Sequence, residues 1–311
     1  MATLTYGATL TYGLIWNTKM TILCVRHRTE YQYRQPVVLG EHRLMSRPRD
    51  SHDLRLLDTA LLVAPQPSEL RWMHDVFGNS IVVTSFTDKS DSLVFESTFR
   101  AEHFPLPEQT IWVEPYAQQL PFNYSADDSA DLARTQERQF ADPEHLIDQW
   151  AKFHVDATPD RNTLNVLIAM TQAVKSDFVY ARREEVGVQE PTETLQLRSG
   201  SCRDFAVFMM EAARSMGLAA RFVSGYLYDE NLIGAEGGLV GGGATHAWLQ
   251  VYLPGAGWVE FDPTNALVGG RNLIRVAVAR NASQAAPVAG AFVGAPDDFL
   301  SMNVIVEVTA E

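Results

Sequence analysis

Cysteine is scarce in this chain, with two residues, Cys24 and Cys202, among 311. Two thiols cannot build a disulfide framework and are too few for a cysteine-type structural zinc site. A lone functional thiol suits a reducing compartment, so a cytoplasmic location is expected. No run of about 18 apolar residues occurs, so no membrane-spanning helix is expected. The N-terminus has no basic stretch followed by an apolar one, so no secretory signal is expected. Cations are outnumbered, with 25 Lys and Arg against 38 Asp and Glu, a formal net charge of −13. Such a surface repels phosphate, which argues against a nucleic-acid partner. His42, His52, His74, His103 and His145 show no metal-ligand spacing. No acidic loop of the calcium-binding kind is seen, so no metal and no cofactor are expected.

What is present is ordinary for a globular protein, with 46% apolar and 20% charged residues. The length favours two domains. The expected division is an extension over 1–19, a β domain over 20–105, a linker over 106–142 and an α+β unit over 143–311. In the extension, Ala-Thr-Leu-Thr-Tyr-Gly occurs at 2–7 and again at 8–13. Two copies are too few for a repeat architecture, and the first domain is expected to begin near Met20.

Residues 20–105 read as all-β. Strand formers fill Thr21 to Tyr33, Pro36 to Leu39, Leu56 to Val63 and Leu93 to Phe99. A hairpin is expected from Trp72 to Phe86, turning at Gly78-Asn79. Short strands with regular turns suggest a sandwich-like domain. The 106–142 stretch is proline-rich at first and then acidic. Helices are expected over Glu144 to His154 and Thr163 to Asp177, followed by a polar loop over 182–198. Strands are expected over 219–228, 245–253, 258–262, 272–279 and 302–308. Helices first and an antiparallel sheet afterwards make the second unit α+β.

The segment Ser199-Gly-Ser-Cys-Arg-Asp-Phe-Ala206 begins a helix at Cys202. Phe205, Ala206, Phe208, Met209, Ala212, Ala213 and Met216 recur at helical spacing. A serine can cap the start, Asp204 suits the positive end of the dipole, and Gly217 stops the helix. A cysteine at such a tip is biased toward thiolate, the reactive form; a buried structural cysteine is the plain alternative. Downstream stand His246 in Thr-His-Ala-Trp and Asp262 in Phe-Asp-Pro-Thr-Asn. A thiol, an imidazole and a carboxylate on helix, strand and strand suit thiol acyl transfer, as nucleophile, base and orienter.

The words around these residues resemble the bacterial transglutaminase-like family. They are Gly-Ser-Cys-Arg-Asp-Phe-Ala at 200–206, Gly-Leu-Ala-Ala-Arg-Phe-Val-Ser-Gly-Tyr-Leu at 217–227, His-Ala-Trp-Leu-Gln-Val-Tyr-Leu at 246–253 and Phe-Asp-Pro-Thr-Asn at 261–265. The start is also similar to that family's N-terminal β domain, through His27 to Tyr33 and His42 to Pro48. The end is similar to the family's tail, so the resemblance spans about residues 20–311. It implies a papain-like core of helices packed on an antiparallel sheet, with Cys202 as nucleophile, His246 as base and acid, and Asp262 as orienter. The chain departs from the family pattern at Ala279-Arg-Asn-Ala282, where the family reads Gly-Arg-Asp-Tyr. The resemblance therefore says less about the substrate than about the triad.

The Cys202 amide is the expected oxyanion donor, with Tyr180 or Gln196 as candidates for a second. Trp248 and Trp258 are candidate walls of the substrate cleft. The glycine-rich 234–243 stretch could cover it; it lacks the Lys-Ser/Thr ending of a phosphate loop. The expected activity is thiol-dependent hydrolysis of peptide amides, with transfer to an amine as the alternative. An idle peptide-binding scaffold is the alternative of another class. Expected partners are a peptide or protein substrate and, in one reading, an enzyme of a peptide-modifying system.

Overall fold

The computed structural model describes residues 21–104, 111–183, 185–229, 240 and 243–311. The expected extension over 1–19 lies outside the described residues.

The first half is built on one long strand, β1 (Thr21–Arg47), whose residues alternate buried and half-buried from Leu23 to Glu30. Four strands follow it: β2 (Leu54–Ala64), β3 (Glu69–His74), β4 (Ser80–Ser85) and β5 (Lys89–His103). They pair in the order β2–β5–β1–β4–β3. β1 changes partner along its length: β5 pairs with residues 21–38 and β4 with residues 42–47. Register shifts between Gln32 and Val37 let its two halves diverge. Tyr33, Val37, Leu93 and Phe95 then meet Leu44 and Val82 in one cluster. The sandwich-like expectation thus takes the form of a single continuous sheet.

The second half is α+β as expected. After α1 (Ala126–Gln136) come α2 (Leu146–Ala157), α3 (Thr163–Asp177), α4 (Pro191–Leu197) and α5 (Cys202–Ser215). Short β6 (Val179–Tyr180) and β7 (Ser199–Gly200) pair in parallel. Strands β8 (Ala220–Leu227), β9 (His246–Leu253), β10 (Gly257–Asp262), β11 (Leu267–Val268) and β12 (Leu273–Ala279) form a sheet ordered β11–β10–β9–β8–β12. Helix α5 is central, with every residue from Asp204 to Arg214 buried. Phe205, Phe208 and Met209 pack against Leu249, Val251 and Phe261 of the sheet, and each such buried side chain contributes about 2 kcal/mol. The one acid in mid-helix, Glu211, is fully buried but satisfied. Arg214 Nη1 at 2.9 Å, Arg138 Nε at 3.0 Å and the Gln139 amide at 3.1 Å all donate to it, which fixes the 137–140 segment to α5.

The structure corrects the expected boundaries. The 143–311 unit does not keep its last strands: β13 (Val288–Val293) and β14 (Phe299–Ala310) both pair with β1. Val304, Val306 and Val308 of β14 complete an apolar cluster with Leu23, Val25 and Phe99, so the alternating tail has its burial partner in the first sheet. The expected linker holds α1, which Ser125 caps by accepting from the Asp128 amide at 3.1 Å. Only Leu132 of α1 is buried, which leaves no apolar stripe to read. The polar 182–198 loop likewise holds α4, opened by Pro191.

The two halves are joined behind the core sheet. Asn79 donates to the Val278 carbonyl at 2.7 Å and accepts from its amide at 2.9 Å. His27 Nδ1 meets the Tyr226 hydroxyl at 2.8 Å. No helix among the described residues is long and apolar enough to cross a membrane.

Candidate active site

Cys202 is the first residue of α5, and its thiol is partly buried. A first-turn amide has no partner within the helix, so its N–H is free to donate outward. The turn before it is held by Asp204. Oδ2 of Asp204 accepts from the Ser201 amide at 2.8 Å and from its hydroxyl at 2.7 Å. Oδ1 accepts from the Gln189 amide at 2.7 Å and from Arg183 Nη1 at 2.8 Å. Burial alone would raise the pKa of Asp204, but these four donors hold it below the ordinary carboxylate range. Asp204 is therefore the clasp that ties Arg183 and Gln189 to the helix tip.

His246 opens β9 and Asp262 ends β10; both side chains are fully buried. His246 Nε2 donates to Asp262 Oδ2 at 2.8 Å. The other nitrogen, Nδ1, is buried and has no close hydrogen-bond partner. The Cys202 thiol lies near enough to act on the ring, though not at close hydrogen-bonding geometry. Burial by itself would lower the imidazole pKa. Asp262, and after it Cys202, outweigh burial and push the pKa up to about 10. The structure thus brings the three sequence candidates together.

Around them lies a scaffold of which only Trp248 is singled out in the sequence, and there as a cleft wall. Trp248 is fully buried and stacks on His246, ring centroids 5.8 Å apart at 28°. Its Nε1 donates to Glu260 at 2.5 Å. Glu260 also accepts from Gln250 and Arg275, each at 2.7 Å, and Arg275 reaches Asp53 ahead of β2 at 3.3 Å. On the facing strand Gly225 pairs with His246. A Cβ there would stand 2.1 Å from the Ile274 carbonyl and 2.7 Å from Trp248, so only glycine fits. Alternation along β9 and β10 puts 246, 248 and 250 with 260 and 262 on one face, a signal available in the sequence. Asn265, three residues after Asp262, was also missed; the Asp-Pro-Thr-Asn turn was its signal.

Two tryptophan expectations need correction. Trp248 is no open wall, because it is fully buried beneath the imidazole. Trp258 pairs with Tyr252 near the far ends of β10 and β9, and Arg221 covers its ring at 4.0 Å, so it is remote from the thiol. Gln196 is exposed on α4, without a recorded contact to the triad. Tyr180 does lie by the thiol: it is half-buried, with its pKa raised by burial and next by the charge of Cys202. The expected cover over 234–243 lies outside the described residues except at Val240 and Gly243. Among the described residues, no group of three or more His, Cys, Asp or Glu side chains is placed to hold a metal ion.

Residues 23–102 match the bacterial transglutaminase-like N-terminal region, and residues 153–263 match the transglutaminase-like superfamily. The chain belongs to the transglutaminase-like family. An uncharacterised protein of Mycobacterium tuberculosis is 28% identical over 279 residues, 86% of each chain. The protein-glutamine gamma-glutamyltransferase of Pseudomonas aeruginosa is 37% identical over 67 residues, 22% of this transglutaminase-like chain and 10% of that enzyme. A solved structure from Cytophaga hutchinsonii, named a candidate cysteine protease, shares the fold. Its TM-score is 0.70 at 18% identity, covering 94% of this chain and 91% of that one.

Proposed function

We propose that this protein is a thiol enzyme that hydrolyses peptide amides through Cys202, His246 and Asp262. The observation that carries the reading is the buried His246–Asp262 bond at 2.8 Å, with Nδ1 left unpaired beside Cys202. A ring held in its protonated form beside a sulfur favours the thiolate–imidazolium pair. The thiolate adds to the amide carbon, and the Cys202 amide at the helix tip donates to the developing oxyanion. Imidazolium then gives its proton to the departing amine, leaving a thioester on Cys202. Neutral His246 takes a proton from water, the hydroxide adds to the thioester, and the acid and free thiol are released.

A second reading replaces water by a primary amine in the last step, which makes a new amide. The 67-residue match to a gamma-glutamyltransferase favours it. Incubation with a peptide library, with and without a labelled primary amine, separates the two. New peptide termini in both arms support hydrolysis, and label gained only in the amine arm supports transfer. Equal, slow alkylation of Cys24 and Cys202 by iodoacetamide would mean an idle cleft and defeat both readings.

A further inference from the structure

Resting on this reading of the site, we infer that Asn265 is a positioning residue that clamps the two strand ends carrying His246 and Asp262. Asn265 lies in the four-residue turn between β10 and β11, where Asp262 pairs with Leu267. Its side chain is nearly all buried, at 9% exposure. Nδ2 donates to Asp262 Oδ2 at 2.8 Å, the oxygen that also accepts from His246. Nδ2 also donates to the Val240 carbonyl at 3.1 Å, and Oδ1 accepts from the Val240 amide at 2.8 Å. Every polar atom of this amide is thus engaged.

The topology gives those bonds their meaning. Val240 lies six residues before His246, on the approach to β9, and Asn265 lies three residues after Asp262, on the exit from β10. One amide therefore closes a ring: Val240 to His246 along the chain, His246 to Asp262 by hydrogen bond, and Asp262 to Asn265 along the turn. The same approach is held again at Gly243, whose carbonyl accepts from the Val306 amide of β14 at 3.2 Å. A carboxylate beside a histidine can rotate unless its oxygens are occupied. The Thr264 amide occupies Oδ1 at 2.9 Å, and Asn265 shares Oδ2 with the ring. Two donors on one oxygen fix the direction in which the imidazole must point, and hence where Nδ1 meets the thiol.

The test uses Asn265→Ala and Asn265→Asp in the full chain, reading iodoacetamide alkylation of Cys202 by mass spectrometry across pH. The Ala variant should alkylate about tenfold more slowly at neutral pH, the low end of the loss when a partner that orients a metal-ligating side chain is removed. The Asp variant keeps the shape and the acceptor for Val240, but sets a second carboxylate beside Asp262. Its deficit should shrink on acidification, as the paired carboxylates share a proton and regain a donor. A packing defect would not recover with acid. If both variants stay within twofold of wild type, or if the Asp deficit does not change with pH, the assignment of Asn265 is overturned. If wild type itself reacts no faster than His246→Ala, the reading of the site falls instead.

Discussion

Replacing Asp262 by Asn keeps the size of the side chain and removes its charge. In the folded protein burial pulls the His246 pKa down, and Asp262 is the first influence that pushes it up to about 10. Without that charge burial prevails, and the pKa falls to the ordinary value of about 6.5 or lower. At about pH 7.5 the protonated fraction of the ring then drops from near unity to about one tenth or less. The thiolate–imidazolium pair should be depleted in proportion. Alkylation of Cys202 by iodoacetamide, followed by mass spectrometry, should slow about tenfold at that pH. The sign also fixes the pH dependence. In wild type the pair persists as pH rises and is lost only through the alkaline range near the raised pKa. In D262N it is lost near neutrality, so the gap between the two proteins narrows as the pH falls below about 6. An identical rate and an identical pH profile in D262N would mean that Asp262 does not hold the His246 proton.

Three further outcomes follow from the packing around the site. Glu211→Ala leaves Arg214 buried without its carboxylate partner and should cost about 3–5 kcal/mol in urea denaturation; a loss under about 1 kcal/mol would count against it. Asp204 has a lowered pKa, so its contribution is present above the ordinary carboxylate range and is lost as the pH falls through and below it. Denaturation at a series of pH values should show Asp204→Asn less stable than wild type by about 1–3 kcal/mol at neutrality, with the difference fading in acid. Gly225→Ala drives a methyl into the Ile274 carbonyl and Trp248; it should change the near-ultraviolet dichroism of tryptophan and slow Cys202 alkylation together, and an unchanged rate would separate Trp248 from the function of His246.

Much of the second half was legible from local chemistry. Cys202 to Ser215 carries an apolar face, a serine before it and a glycine after it, and the helix forms there. Thr163 to Asp177 was legible from its apolar residues, Val166, Leu167, Met170 and Val174 among them, which are buried. α1 and α4 were not, since Leu132 alone, or Pro191 and Thr194, are buried in them. The return of β14 to β1 was hidden because pairing is a long-range choice. The alternation of Val304, Val306 and Val308 tells which face is buried but not against what. At the site, residue types marked Cys202, His246 and Asp262, while the roles of Trp248, Gly225 and Asn265 depend on which strands lie side by side. Trp258 misled for that reason: it is close to Asp262 in sequence, but an extended strand carries it away.

Under the proposed function Cys202 becomes acylated. Wild type and His246→Ala, each mixed with a peptide library and quenched in acid, should differ in the intact mass of the protein. Wild type should carry a thioester adduct on Cys202, shortened in lifetime by an added primary amine only if that amine is the acceptor, and His246→Ala should carry none. A substrate turned over with no adduct at Cys202, or with the adduct at Cys24, would rule that step out.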